Sequence, residues 1–240
     1  MTTMFISDLH LDKDRPKVIK YFIALLSNLE SDIESLYILG DFVEYWVGDD
    51  DPGDGLREVF SSIKKKSNDV PIYFMQGNRD FMVSEKFCNH HGMKFLKDPT
   101  VIELHGKKIL LMHGDTLCID DIEYQKFRAM VRSASWQNEM LKKSLEERID
   151  LAKMLRAKSL SETNTKDEVI MDVNNGEVIS QLKKHDVDMI IHGHTHRPNI
   201  HKVISGKKEY KRIVLGDWYD KSFVLKISDG KIIIDKSNIS

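Results

Sequence analysis

Cysteine is nearly absent from this chain of 240 residues: only Cys88 and Cys118 occur, far apart and without a CxxC pair. That excludes a disulfide framework and points to a reducing compartment. Long apolar runs are missing too, and none approaches the roughly 20 residues that a membrane-spanning helix needs. The opening MTTMFISDLH has neither a basic start nor a long apolar stretch, so no leader peptide is expected. Neither sign of charge is in excess, with 36 Lys and Arg against 38 Asp and Glu. This disfavours a chain-wide polyanion-binding role, nucleic acid included. No internal repeat is present. The absences predict a soluble, cytoplasmic protein that is still free to rest on a membrane surface. A hydrophobic content of 41% is enough for a real core, and the length fits one domain with an elaboration.

Short apolar runs that end in polar residues are plentiful. They are MFISDLH (4–10), SLYILGD (35–41), VPIYFMQGN (70–78), KILLMHGD (108–115), VDMIIHGHTH (187–196) and RIVLGDW (212–218). Their near-continuous Ile, Leu, Val, Phe and Met predict strands buried on both faces. Helical spacing fills the gaps, as with Val18, Tyr21, Phe22, Leu25 and Leu29. Alternating strands and helices imply an α/β fold. The polar residues sit at the C-terminal strand ends, the edge where open α/β sheets bind ligands. SFVLKISDGKIIIDK (222–236) carries a hairpin signal at Asp229-Gly230. It is expected to join an antiparallel second sheet.

Residues 122–166 break the pattern. They contain no strand-like run and no proline, while Met140, Leu141, Leu145, Ile149, Ala152 and Leu155 recur at helical spacing. The segment holds ten Lys and Arg against six Asp and Glu. It reads as a helical insertion capping the strand ends.

The strand ends carry metal-ligand chemistry. Asp8 and His10 form D-x-H after the first run, with side chains expected on one side. Asp41 follows Gly40, Asn78 lies in GNRD, and His113 lies in MHGD. HGHTHRP places His192, His194 and His196 at alternate positions. Carboxylate, amide and imidazole ligands without thiolate suit Mn, Fe or Zn. Seven donors, counting two of the three alternating His, are too many for one ion and about right for two. Two ions about 3.5–4 Å apart clamp an in-line attack on phosphorus. One ligand must bridge them, and the two oxygens of Asp41 suit that role.

The order D-x-H, GD, GN, HG, GHTH resembles the calcineurin-like metallophosphoesterase superfamily across essentially the whole chain. The resemblance implies two packed sheets flanked by helices. It implies one metal on Asp8, His10, Asp41 and His196, and another on Asp41, Asn78, His113 and His194. His192 then lies outside the first shell. A metal-bridging hydroxide would be the nucleophile. Many members resemble G-N-H where this chain has Gly77-Asn78-Arg79, and that His is thought to protonate the leaving oxygen. Arg79 cannot act as an acid, but it can hold phosphate oxygens by bidentate hydrogen bonds. A leaving group that is already a stable anion, as in a pyrophosphate, needs no acid.

GDFVEYWVGDDD, GNRDF, HGDTLCIDD, IMDVN, MLRAKS and HGHTHRP are similar to the UDP-2,3-diacylglucosamine hydrolase family of lipid A biosynthesis. That similarity implies hydrolysis to UMP and 2,3-diacylglucosamine 1-phosphate, with two Mn2+ ions and water attacking the uridine-linked phosphorus. Asn78, Arg79 and His113 would serve catalysis. Asn78, Arg79, Asp121, Arg156, Ser159, Lys166 and His194 would contact substrate. A further Asn of the family falls on Thr163 by spacing, with Asn164 next to it. Trp46, Phe81, Phe127 and Met130 are expected to line a groove for the acyl chains. The basic excess of the cap implies reversible binding to an anionic membrane, at the cytoplasmic face of the inner membrane. No obligate protein partner is expected. Another nucleotide-sugar or dinucleotide pyrophosphatase of the superfamily is the alternative reading.

Overall fold

The computed structural model describes residues 1–163 and 172–239. Its first sheet is built on β1 (Thr2–Ile6), β2 (Ile33–Leu39), β3 (Ile72–Met75) and β4 (Met93–Leu96), four parallel neighbours. Helices α1 (Pro16–Ser27), α2 (Arg57–Lys66) and α3 (Glu85–His90) form the connections. Pro16 opens α1, where its fixed φ suits a first helical turn. Val18, Ile19, Phe22 and Leu26 then bury one face of that helix.

The second sheet has the order β5-β6-β7-β9-β8. Its strands are β5 (Thr100–Leu104), β6 (Lys107–Leu111), β7 (Met189–His192), β8 (Asn199–Ser205) and β9 (Lys208–Val214). Helix α7 (Asn175–Lys184) packs Val178 and Leu182 against Leu110 and Ile190 on its outer face. The two sheets meet over Phe5, Tyr37, Leu39 and Met75 from one side and Ile109, Leu111, Ile191 and Ile213 from the other. Met4, Ile6, Leu36 and Ile38 point the opposite way, into the helical layer. Strands buried on both faces thus explain the near-continuous apolar runs. The result is a four-layer α/β/β/α architecture.

The C-terminal hairpin corrects the sequence expectation. Strands β10 (Lys221–Ser228) and β11 (Lys231–Asn238) extend the first sheet, with β10 antiparallel to β1. The free edge of β1 accepts β10. Alternation in β10 then sends Phe223, Leu225 and Ile227 between the sheets and Val224 toward the helices. Three strands escaped the sequence reading, β4, β5 and β8. Lys94 interrupts β4, and β5 and β8 likewise interleave polar residues, so none carries a continuous apolar run.

Residues 122–163, the described part of the expected insertion, form three helices: α4 (Ile122–Val131), α5 (Ala134–Leu141) and α6 (Leu145–Thr163). Polar caps divide it. Ser133 accepts the Trp136 N–H at 3.3 Å, and Ser144 with Glu147 makes reciprocal bonds of 3.2 and 2.9 Å. Trp46, expected in the groove, is instead core, 3% exposed against Phe60 and Phe87. Phe81 and Phe127 are half-buried and Met130 is exposed. Among the described residues no helix is long and apolar enough to cross a membrane.

Candidate metal centre

The site sits where five strand-to-loop transitions meet, after β1, β2, β3, β6 and β7. The backbone turns sharply there. Asp8, His10, Asp41, His194 and His196 all have positive φ, between 49° and 69°. Such conformations are costly for side chains other than glycine and persist only where the surroundings impose them. Left-handed turns, and not an extended strand, put Asp8 and His10 on one side. Adjacent loops brace each other through backbone bonds, Asp8 N–H to Gly40 O at 3.0 Å and His10 N–H to Asp41 O at 3.0 Å.

The donor atoms form two groups. In the first, His196 Nε2 lies 3.3 Å from Asp8 Oδ1 and 3.3 Å from His10 Nε2. In the second, Asn78 Oδ1 lies 2.9 Å from His113 Nε2 and 2.8 Å from His194 Nδ1. Asp41 spans both, with Oδ2 3.8 Å from His10 Nε2 and Oδ1 3.7 Å from His113 Nε2. Asp8, His10 and His196 each offer a donor atom within 4.8 Å of the others, and so do Asp8, Asp41 and His113. Asp8 therefore reaches toward the second group as well, which spacing alone did not indicate.

The electrostatics are those of a cation site. Burial opposes charge on His113, but Asp41, Asp115 and Asp8 outweigh it and raise its pKa to about 9. Burial also opposes charge on His196, yet Asp217 and Asp8 push it up to about 11. Burial, reinforced by His113, lowers His194 to about 4. Asp8 is held far below the usual carboxylate range against its burial, by His196, His113 and His10. Positive charge is drawn in among these carboxylates.

Two supporting acids were missed in the sequence, although both lie inside quoted stretches. Glu44 Oε2 is 3.1 Å from His10 Nδ1, and Asp217 Oδ2 is 3.2 Å from His196 Nδ1. His113 Nδ1 lies 2.9 Å from the Leu39 carbonyl. Partners such as Asp217 and the Leu39 carbonyl fix the tautomer and ring orientation of histidines, while Glu44 sits beside His10 at ion-pair distance without hydrogen-bond geometry. Asp80, fully buried, accepts the Phe42 and Gly77 N–H groups at 2.7 Å each and ties the GD and GNRD loops together.

The other expected residues divide. Arg79 donates its backbone N–H to Asp41 Oδ1 at 2.8 Å, and the buried Nε of its side chain has no hydrogen-bond partner. Asp121 caps α4 by accepting the Tyr124 N–H at 3.1 Å. Ser159 is half-buried on α6. Arg156, expected to approach a phosphate, pairs its Nε with Glu44 Oε1. Asn164 and Lys166 lie outside the described residues. His192 is fully buried, with Nδ1 2.9 Å from Gly193 O, and belongs to neither donor group.

A sequence profile described as calcineurin-like phosphoesterase matches residues 1–198. This chain belongs to that family. Curated relatives named UDP-2,3-diacylglucosamine hydrolase match it over nearly their full length. One from Marinobacter nauticus is 44% identical over 95% of this chain and 94% of its own. One from Aliivibrio fischeri is 46% identical over 95% of both chains, and one from Escherichia coli is 42% identical over 95% of both. Among solved structures, an archaeal phosphodiesterase covers 99% of both chains with a TM-score of 0.52 at 14% identity, a likeness of fold alone. Membership of a metallophosphoesterase family carries a two-metal centre with it, and the donors assembled here are candidates for it.

Proposed function

We propose that this chain hydrolyses the pyrophosphate bond of UDP-2,3-diacylglucosamine, giving UMP and 2,3-diacylglucosamine 1-phosphate in lipid A biosynthesis. The observation that carries this is near-full-length identity of 42–46% to relatives of that name. The same relatives favour it over a broader nucleotide-sugar or dinucleotide pyrophosphatase.

The residues fit a metal pair. Imidazole Nε2 atoms of His10 and His196 face each other at 3.3 Å beside the Asp8 carboxylate, and sulfur is absent from the donor set. Asp8, His10, Asp41 and His196 would hold one ion, and Asp41, Asn78, His113 and His194 the other, with Asp41 shared. Mn2+ suits this mixture of oxygen and imidazole donors. Bound there, divalent ions supply Lewis-acid charge to phosphoryl oxygens and acidify water.

The chain's own side chains set the outcome. Hydrolysis adds a water oxygen to the uridine-linked phosphorus and breaks its bond to the bridging oxygen, which departs with the sugar 1-phosphate. That leaving group is a stable anion and needs no proton. Arg79 therefore serves as a phosphate clamp where a His would serve as an acid. Arg156 and Ser159 on α6 and Asp121 at the start of α4 would contact the substrate, as would Asn164 and Lys166, which lie outside the described residues. Arg79→Ala should cost at least tenfold more turnover on the pyrophosphate than on an activated aryl phosphate ester, with metal content unchanged. Equal losses on both substrates would overturn this role.

The cap suits a lipid surface. Ile122, Met130 and Met154 are 62%, 49% and 60% exposed on α4 and α6, among basic side chains. Exposed apolar residues beside cations favour peripheral binding to anionic lipid, here the cytoplasmic face of the inner membrane. Co-sedimentation with phosphatidylglycerol vesicles should fall when Ile122 and Met154 are both changed to Glu, and with added salt. Binding unaffected by either would remove the membrane role. UMP release measured with the acylated and the unacylated UDP-sugar tests the reaction itself: release from the acylated substrate alone is expected.

A further inference from the structure

Glu44 stands between two machines that sequence reading treats separately, the donor cluster and the cap. Its backbone is fixed by a bond from its N–H to Leu11 O at 3.0 Å, within the bridge between the D-x-H loop and the loop after β2. One carboxylate oxygen lies 3.1 Å from His10 Nδ1, and the other pairs with Arg156 Nε on α6. Its side chain is 17% exposed and that of Arg156 is 24% exposed, so the pair is largely withdrawn from water. Tyr219 completes the junction. Its ring stacks on His10 at 5.7 Å, and its hydroxyl lies 3.5 Å from Arg156 Nη2.

We infer that Glu44 is a positioning residue that latches helix α6 to the metal centre, so that metal occupancy and cap closure are coupled. The inference rests on the reading of His10 as a metal ligand. The Glu44 carboxylate lies at ion-pair distance from His10 Nδ1 without hydrogen-bond geometry, so its hold on the ring is electrostatic, and Nε2 is left facing His196 and Asp41. The same carboxylate holds Arg156 and with it the helix. An ion on His10 favours one orientation of the ring, and that orientation places Glu44 to receive Arg156. Coupling of this kind is reciprocal: whatever the metal does to α6, α6 must do to metal affinity. An arriving substrate phosphate would compete with Glu44 for the same guanidinium, which makes the latch releasable.

The test uses Mn2+ alone, without substrate. In the unaltered chain, Mn2+ should slow backbone hydrogen exchange of α6 by tenfold or more. Glu44→Gln keeps an oxygen for His10 but loses the charge that holds Arg156. It should abolish the Mn2+-dependent protection of α6 and weaken Mn2+ binding at one of the two positions about tenfold to a hundredfold. Arg156→Ala touches no proposed ligand, yet it too should weaken Mn2+ binding measurably. The double variant should bind no more weakly than Glu44→Gln alone. The latch is overturned if Mn2+ binds but α6 exchange ignores it, or if Arg156→Ala leaves Mn2+ affinity unchanged. Absence of Mn2+ binding by the unaltered chain would instead defeat the metal reading on which the latch stands.

Discussion

Asp41 meets three demands at one position. Its backbone turns left-handed at φ 49°, its Oδ1 accepts the Arg79 N–H at 2.8 Å, and its two oxygens face His10 and His113. Asp41→Ala should therefore lower bound metal at both proposed positions, measured as metal per chain after dialysis. Unchanged stoichiometry would remove its bridging role. Gly77 explains how the carboxylate is held. A Cβ there would fall on Asp41 Oδ1 and on the Asp41 backbone nitrogen. Gly77→Ala should lower metal affinity at least tenfold while leaving helical content by circular dichroism close to that of the unaltered chain. The donors were legible in sequence because each polar residue ends an apolar run. Glu44 lies inside its loop and was not, and Asp217, although it ends the run RIVLGD, has a role set by its distance to the His196 ring, which spacing does not encode.

At the scale of elements, α6 shows how a helix with little apolar burial among its described residues stays in place. Arg148 is 2% exposed, donates to Val47 O and Asp50 Oδ1 at 2.7 Å each, and also contacts Asp50 Oδ2. Eight residues on, about 12 Å along the helix, Arg156 engages Glu44. Both arginines thus fasten α6 to the loop after β2. Asp50 is 62% exposed on its side, so solvent screens the pair and its ionic part is small. The buried bond to Val47 O matters more. Arg148→Ala should loosen α6 in hydrogen exchange, and hydrogen bonds from a charged group suggest a local cost of about 1.5–3 kcal/mol. Protection equal to the unaltered chain would show that other contacts hold the helix. The periodicity of 122–166 revealed helix but not its division, because Ser133 and Ser144 act as caps only once the chain turns there.

Across the whole molecule, burial sets a dependence on acid. His192 is fully buried, and burial together with Arg212 lowers its pKa to about 3 from 6.5. The unfolded chain therefore takes up this proton first as pH falls. Stability from this residue is intact above about 6.5 and is lost as pH falls toward about 3. His192→Asn keeps a donor for Gly193 O but does not titrate. Denaturant unfolding of that variant should show a shallower loss of stability across this interval. An identical slope would mean that His192 is solvated or already paired in acid.

The sequence by itself determined the α/β class, the six strands whose cores are apolar on both faces, the donor types at their ends and the helical character of the insertion. Each of these follows from local pattern, because double-sided burial and strand-end polarity are written in consecutive residues. Tertiary structure decided the rest. Only the free edge of β1 placed the final hairpin in the first sheet. Packing of Phe60 and Phe87 drew Trp46 into the core, against the expectation that it lines a groove. The partnership of Glu44 with His10 and Arg156 joins residues far apart in the chain. Side chains of that separation meet through the topology of two sheets and a cap, and no window of sequence contains all three.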